Sequence, residues 1–516
     1  MYCLGHHYLE LENTIGLNIM EDRYIISIDL GTTNVKACIF DFEEGRILNV
    51  SRISIPKVIP RPEWIEQDPV TLWKSALYAL KDVLNKSKIS IRQVEAIGLA
   101  NQRGSIVAWD KRDGKPLYNV IVWQCRRTDK IVQELAMTYK DLIKKKTGLV
   151  PSSNFSYPKI RWLFENIPKI KEGFIKGEIA IGTLDTYFLW KLSGENKVFA
   201  TDYTNASRTM LFNIWNLDWD DELLDIFGIP KEHLPEIRPS GTIHGYTDKN
   251  ILGAEIPIAC IIGDQQAALF GQLATLPGMV KCTYGTGSFV LMNIGNRPII
   301  TKNLITTIAW SYNKYLTYAL EGSMYASGTL IEWLINNLGL ASSIRELESM
   351  ARSSGDNVFF IPAILGLGAP YWNNKIKAMF LGLNITTKKH HLVRAVYESI
   401  VFMIKRIIEE MEKDSKIKMR ELRVDGGLAK SDILLQLQAN ILGTKVVRPQ
   451  FLETTLLGSI YMVCLAMKYY KSFSELEKLW KIDKEFHPEK NTKHFIQKYI
   501  AWKKVLETMI SIVDSI

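Results

Sequence analysis

The chain has 516 residues, 47% apolar and 23% charged, with a formal net charge of +9 at pH 7. That length exceeds one compact core and predicts two or more globular domains, and the composition excludes a disordered or fibrous chain. No apolar run is long enough to cross a bilayer, and the first twenty residues lack the basic start and apolar centre of a signal peptide, so no membrane partner is expected.

Residues 1–22 read as an N-terminal extension, weakly ordered to about residue 19. Met20, just before Glu21-Asp22-Arg23, is a candidate native start. Cys3, His6 and His7 in this tail form no recognisable ligand pattern. None of the six cysteines sits in a CxxC pair, which predicts reduced thiols and a cytoplasmic setting. Lys144-Lys145-Lys146 is the densest basic run. It reads as a solvated helix face, and because acidic residues interleave with the other cations no nucleic-acid partner is expected.

Tyr24–Asp29, Val35–Phe40 and Arg46–Ile53 are β-branched apolar runs separated by short turns, which predicts an antiparallel meander. Asp68-Pro69 opens a helix, with Val70, Trp73, Leu77, Leu80 and Leu84 at helical spacing. A strand over 94–100 follows, ending at Asn101-Gln102-Arg103-Gly104. Strand, helix and strand in alternation predict an α/β domain. The plan then recurs half a chain later, where Met279–Tyr284 and Phe289–Met292 flank the turn Gly285-Thr286-Gly287-Ser288. Two domains built on one duplicated theme are expected, with a ligand cleft between them.

Three segments can cradle phosphate. Asp29-Leu30-Gly31-Thr32-Thr33-Asn34 combines a side-chain-free approach, two hydroxyls and a carboxylate able to hold Mg2+. Thr283–Ser288 offers a second Gly/Thr turn at the equivalent place. Asp425-Gly426-Gly427 joins a strand to a helix over about 431–442, a seat for a nucleotide or simply a tight connection. A Walker lysine motif and a GxGxxG after a strand are both absent, which disfavours P-loop and dinucleotide folds. Gly263-Asp264-Gln265-Gln266 ends an apolar strand in a carboxylate that can take a proton from a hydroxyl, beside amides that can bind other hydroxyls. Trp123, in Trp123-Gln124-Cys125-Arg126-Arg127, can pack on the C–H face of a polyol or be a core residue.

Together these segments resemble the FGGY carbohydrate kinases, above all the glycerol kinase branch. The likeness runs from about Tyr24 to the C-terminal region. It is carried by Asn119–Thr128, Ser156–Trp162, Thr201–Asn213, Gly263–Gln272 and Gly366-Leu-Gly-Ala-Pro-Tyr-Trp372. The resemblance implies two duplicated actin/hexokinase-like (ribonuclease H-like) α/β domains around an ATP cleft. Residues 23–271 would carry the polyol site and 272–516 the nucleotide site. It implies phosphorylation of a small polyol, with ATP and Mg2+, by a homo-oligomer (dimer or tetramer).

By the same resemblance Asp29 belongs to the metal site, and Thr32, Thr33, Asn34 and Lys36 meet the ATP phosphates. Thr286, Gly328 and Gly427 match nucleotide positions, as do Glu332 and Ser431, which stand where the branch has Gln and Asn. Asp264 matches the catalytic base. Arg103, Trp123, Asp264 and Gln265 match polyol ligands, with Phe289 as an apolar wall. Gly104 and Asn154 replace a Glu and a Tyr that contact glycerol in the branch. Both changes are expected to enlarge the pocket, which keeps a kinase of a larger polyol or ketose (erythritol, xylulose, dihydroxyacetone) open beside a glycerol kinase. An actin-like ATPase or a non-catalytic polyol sensor are the readings from other classes.

Overall fold

The computed structural model describes residues 23–353 and 357–515, so the expectations for the N-terminal extension and Met20 lie outside the described residues. The first half opens on β1 (Tyr24–Leu30), β2 (Asn34–Asp41) and β3 (Arg46–Ser54), paired antiparallel in the expected meander. Helix α1 (Pro69–Ser87) follows, its first turn capped by the Asp68 carboxylate, which accepts the Val70 and Thr71 amides at 3.2 and 3.0 Å. Its buried stripe is Leu72, Ala76, Ala79, Leu80, Val83 and Leu84, and Val70 stays exposed. The helix is therefore rolled slightly from the face that the large apolar residues alone predict, because small alanines allow close approach to the sheet.

β4 (Val94–Asn101) lies parallel to β1, and β5 (Pro257–Gly263) lies parallel to β4. Gly245–Tyr246 closes the edge, giving a six-stranded mixed sheet. Helix α2 (Asp264–Gly271) leaves the end of β5 directly.

The second half repeats the order. β6 (Met279–Tyr284), β7 (Ser288–Gly295), β8 (Ile305–Tyr312) and β9 (Tyr315–Met324) form the antiparallel part, with β7 beside β6 and β9 between β7 and β8. After α3 (Gly328–Asn336) and the long α4 (Lys389–Ser415), β10 (Glu421–Asp425) lies parallel to β6. Helix α5 (Asp432–Leu442) leads to β11 (Val446–Pro449), parallel to β10. Helix α6 (Thr454–Ala466) then precedes the edge strand β12 (Ile482–Phe486). In both halves an antiparallel hairpin is extended on its first strand by two parallel strands. This is the duplicated actin/hexokinase-like plan.

Helix α6 ties the halves together. Ile460, Val463 and Cys464 share one buried cluster with Ile25, Ala96, Ala100 and Ile262 of the first sheet. The basic run at 144–146 is not the solvated face expected of it. Lys144 is buried and donates to the carbonyls of Gly148 and Leu304, while Lys146 pairs with Asp220 and Glu222. The aliphatic stem and charged head of a lysine can serve a buried carbonyl pair as well as water. Among the described residues no helix is long and apolar enough to cross a membrane.

Candidate active site

Asp29 is the penultimate residue of β1 and faces Lys36 across the hairpin, their Cα atoms paired in register. The Lys36 ammonium lies 3.7 Å from the Asp29 carboxylate and 2.6 Å from Glu453, so it is shared between two acids. Burial raises the Asp29 carboxyl to about 7, opposed by Lys36 and reinforced by Asp264 and Glu453. Its Oδ1 atom is buried without a hydrogen-bond partner. In the turn, Thr32 Oγ1 donates to Gln102 at 3.0 Å and accepts the Trp123 indole N–H at 2.9 Å, whereas Thr33 is exposed. Asn34 starts β2 beside it.

The second side is made of backbone. The Gly285 amide bonds to Gly287 O, and Thr286, exposed at the turn, accepts the Ser327 and Thr329 amides on its carbonyl. A side chain at Gly328 would come within 2.6 Å of Gly285 O, and one at Gly287 within 2.6 Å of Met324 O. These glycines let three chain segments meet at van der Waals distance. Gly427 borders open space beside them. Glu332 is exposed on α3. Ser431 is buried and its hydroxyl accepts the Leu434 amide as the cap of α5, so that oxygen is already engaged.

Between these walls lies a cavity lined by Arg103, Trp123, Asn154, Arg208, Asp264 and Gln265 from the first half, and by Phe289, Glu321 and Trp372 among others from the second. Asp264 opens α2, where the helix dipole favours a carboxylate, and Arg103 Nε sits 3.1 Å from its Oδ1. Gln265 Oε1 accepts from the buried Lys281 ammonium at 2.7 Å, which leaves its amide N–H groups toward the cavity. Trp123 meets Phe289 edge-on at 5.8 Å, forming an apolar corner.

Two residues that sequence reasoning did not single out complete the cavity. Glu321, buried on β9, accepts Arg103 through both oxygens at 2.5 and 3.2 Å and Arg208 at 3.0 Å. Burial works against this carboxylate, but the two guanidinium groups outweigh it and hold it at about 2. Burial lowers Arg208 to about 10, and its Nη1 has no partner. A lone charged residue, Glu321, inside the otherwise uncharged run Tyr318–Met324 was the available signal, since a buried charge demands a partner.

The structure departs from the expected enlargement at Gly104. Gly104 has φ +71°, and a Cβ there would run into the carbonyl oxygen of Asn154. The 152–155 loop therefore fills the space, and Gly104 does not line the cavity. Buried Lys159 fixes that loop by donating to the Ser153 and Phe155 carbonyls at 2.6 and 2.7 Å. Asn154 does line the cavity, and its Oδ1 is buried and unpaired.

Comparison with known proteins agrees over nearly the whole chain. Residues 24–271 match the FGGY family of carbohydrate kinases, N-terminal domain, and residues 280–467 match the C-terminal domain of the same family. A glycerol kinase of Thermococcus gammatolerans is 47% identical over 488 residues, 94% of this chain and 98% of that protein. Glycerol kinase 2 of Thermotoga maritima is 46% identical over the same shares of the two chains. The crystal structure of Plasmodium falciparum glycerol kinase with ADP superposes with a TM-score of 0.88 at 33% identity, covering 94% of this chain and 98% of that one.

Proposed function

The chain belongs to the FGGY family of carbohydrate kinases, and from that premise we propose that it converts glycerol to glycerol 3-phosphate with Mg2+-ATP. The observation that carries this reading is Asp264. It stands at the strand-to-helix junction, oriented by Arg103, in a cavity whose Trp123 donates to Thr32 of the first hairpin turn and whose Phe289 follows the second. In this reading the acceptor hydroxyl bonds to Asp264, which takes its proton as the oxygen attacks the γ-phosphorus. The bond to the bridging oxygen breaks, ADP departs, and the proton passes from Asp264 to solvent. Arg103 and the Gln265 amide hold the neighbouring hydroxyls, while Trp123 and Phe289 cover the carbon chain.

Asp29 fits the metal the reaction needs. Among the described residues no group of three or more acidic, His or Cys side chains forms a metal cage. Mg2+ usually takes one or two carboxylates with waters and substrate phosphates, so one buried carboxylate with an unpaired oxygen beside a phosphate turn suits it. When bound, the ion neutralises charge on the phosphate oxygens. Thr32, Thr33, Asn34 and Lys36 would hold phosphates from one side, and Thr286, Gly328 and Gly427 the nucleotide from the other. Glu332 borders that side. Ser431 shapes it as a helix cap.

A four- or five-carbon acceptor is a second reading. The unpaired Asn154 Oδ1 and Arg208 Nη1 favour it, since together they can receive one more hydroxyl. The closed space at Gly104 favours glycerol. A domain boundary at 271/272 is supported by the end of α2 at Gly271. Five described cysteines are free and buried, which supports a reducing cytoplasm. A homo-oligomer follows from the family resemblance and is checked by light scattering. Phosphorus NMR of protein mixed with Mg2+-ATP and glycerol tests the function. A primary phosphate monoester of glycerol is expected, and ADP formed without any new monoester overturns the reading.

A further inference from the structure

Helix α6 begins with three consecutive side chains that each reach a different part of the site. Glu453, the residue before the helix, makes no capping bond. Its carboxylate bonds Lys36 at 2.6 Å through one oxygen and Arg52 through the other. Thr454 Oγ1 donates to Asp425 Oδ2 at 2.8 Å, an oxygen that also accepts Gln272 Nε2 at 3.1 Å. Thr455 Oγ1 donates to the carbonyl of Asp264 at 3.3 Å. Three residues thus touch the first phosphate hairpin, the strand end before the diglycine turn, and the backbone of the proposed base.

The packing leaves this segment little freedom. A Cβ on Gly271 or on Gly458 would run into backbone atoms of the other helix, so α2 and α6 meet backbone to backbone. Ser459 bonds Ser27 on β1. Because α6 follows β11 of the second half and packs on the sheet of the first, a shift of one half against the other must pass through it.

We propose that Glu453 is a positioning residue which, with Thr454 and Thr455, fixes Lys36 and Asp264 relative to the nucleotide turn, so that phosphoryl donor and acceptor stay in register. The proposal rests on the kinase reading above. Lys36, shared between Asp29 and Glu453, is an ammonium held near the metal site by an acid from the opposite half. Without that acid only Asp29, at 3.7 Å, is left to direct its long, flexible stem.

The test is Glu453→Gln, which keeps the shape and removes the charge, compared in wild-type and Lys36→Met backgrounds. Glu453→Gln should raise KM for ATP and lower kcat, each about tenfold, the scale of one charge-assisted hydrogen bond, with KM for glycerol within about twofold. Glu453→Asp should recover part of the loss. In the Lys36→Met background the second change should add almost nothing, because residues that act through one another are not additive. A fully additive double variant, an equal effect on both substrates, or unchanged constants overturns the proposal. Calorimetric titration of Mg2+-ATP separates this from the function itself. If the wild type phosphorylates no polyol, the kinase reading fails, while weaker nucleotide binding in Glu453→Gln alone still supports the brace and equal binding still refutes it.

Discussion

At the first hairpin Asp29 and Lys36 face each other in register, and the Thr32 hydroxyl is engaged by Gln102 and Trp123. At the second hairpin, on the same backbone plan, Thr283 lies beside Asp425, and the turn presses Gly285 and Gly287 against Met324 and Gly328. One wall of the cleft therefore carries charge and the other carries shape. A duplicated frame provides two equivalent turns whose residues differ, with an ion pair and an engaged hydroxyl at the first and close-packed glycines at the second. Like Glu453 on Lys36, Glu321 joins the two, a carboxylate from the second half buried against Arg103 and Arg208 of the first.

Asp264→Asn strikes the charged wall hardest. Turnover should fall about 10²–10⁴-fold, the range of a general base, while calorimetric Mg2+-ATP binding stays as in wild type. Glu321→Gln breaks the bridge between the walls. It leaves two buried guanidinium groups short of a counter-charge, so unfolding in denaturant should show a loss of about 3–5 kcal/mol. The carboxyl lies at about 2 instead of 4.5, so its share of stability is complete above pH 4.5 and lost as pH falls toward 2. The gap between wild type and variant should narrow across that window.

Gly328→Ala probes the wall of shape. The added methyl meets Gly285 O, and KM for ATP should rise about tenfold, the lower end of overpacking costs, with a smaller change in kcat. An equal loss in Asp264→Asn and Gly328→Ala, in both constants, would erase the division between the walls. The smallest effect is expected for Asn154→Ala. Removal of one unpaired neutral acceptor should leave kcat/KM for glycerol and KM for ATP within about twofold, and lower kcat/KM about fivefold for an acceptor with one more hydroxyl.

Much of this was legible in the sequence. Alternation of apolar runs with Gly/Thr turns gave both hairpins, and Asp68-Pro69 marked the start of α1 because capping is local chemistry. Asp264, Asp29 and the glycines stand at strand ends, where a motif can be recognised. Arg208, Glu321 and Glu453 were not singled out, since each acts through a partner at least a hundred residues away, such as Arg208 with Glu321 and Lys36 with Glu453. Gly104 was misjudged because what fills its place comes from a different loop, at Asn154. Its missing side chain suggests a void, yet the backbone of Asn154, held by Lys159, occupies it.

The most direct measurement is ADP release from Mg2+-ATP across glycerol, dihydroxyacetone, glyceraldehyde, erythritol and xylulose. The account predicts saturable turnover with the highest kcat/KM on glycerol, because the cavity is closed at Gly104. A four- or five-carbon acceptor that outperforms glycerol, or ADP release that no polyol stimulates, would contradict it.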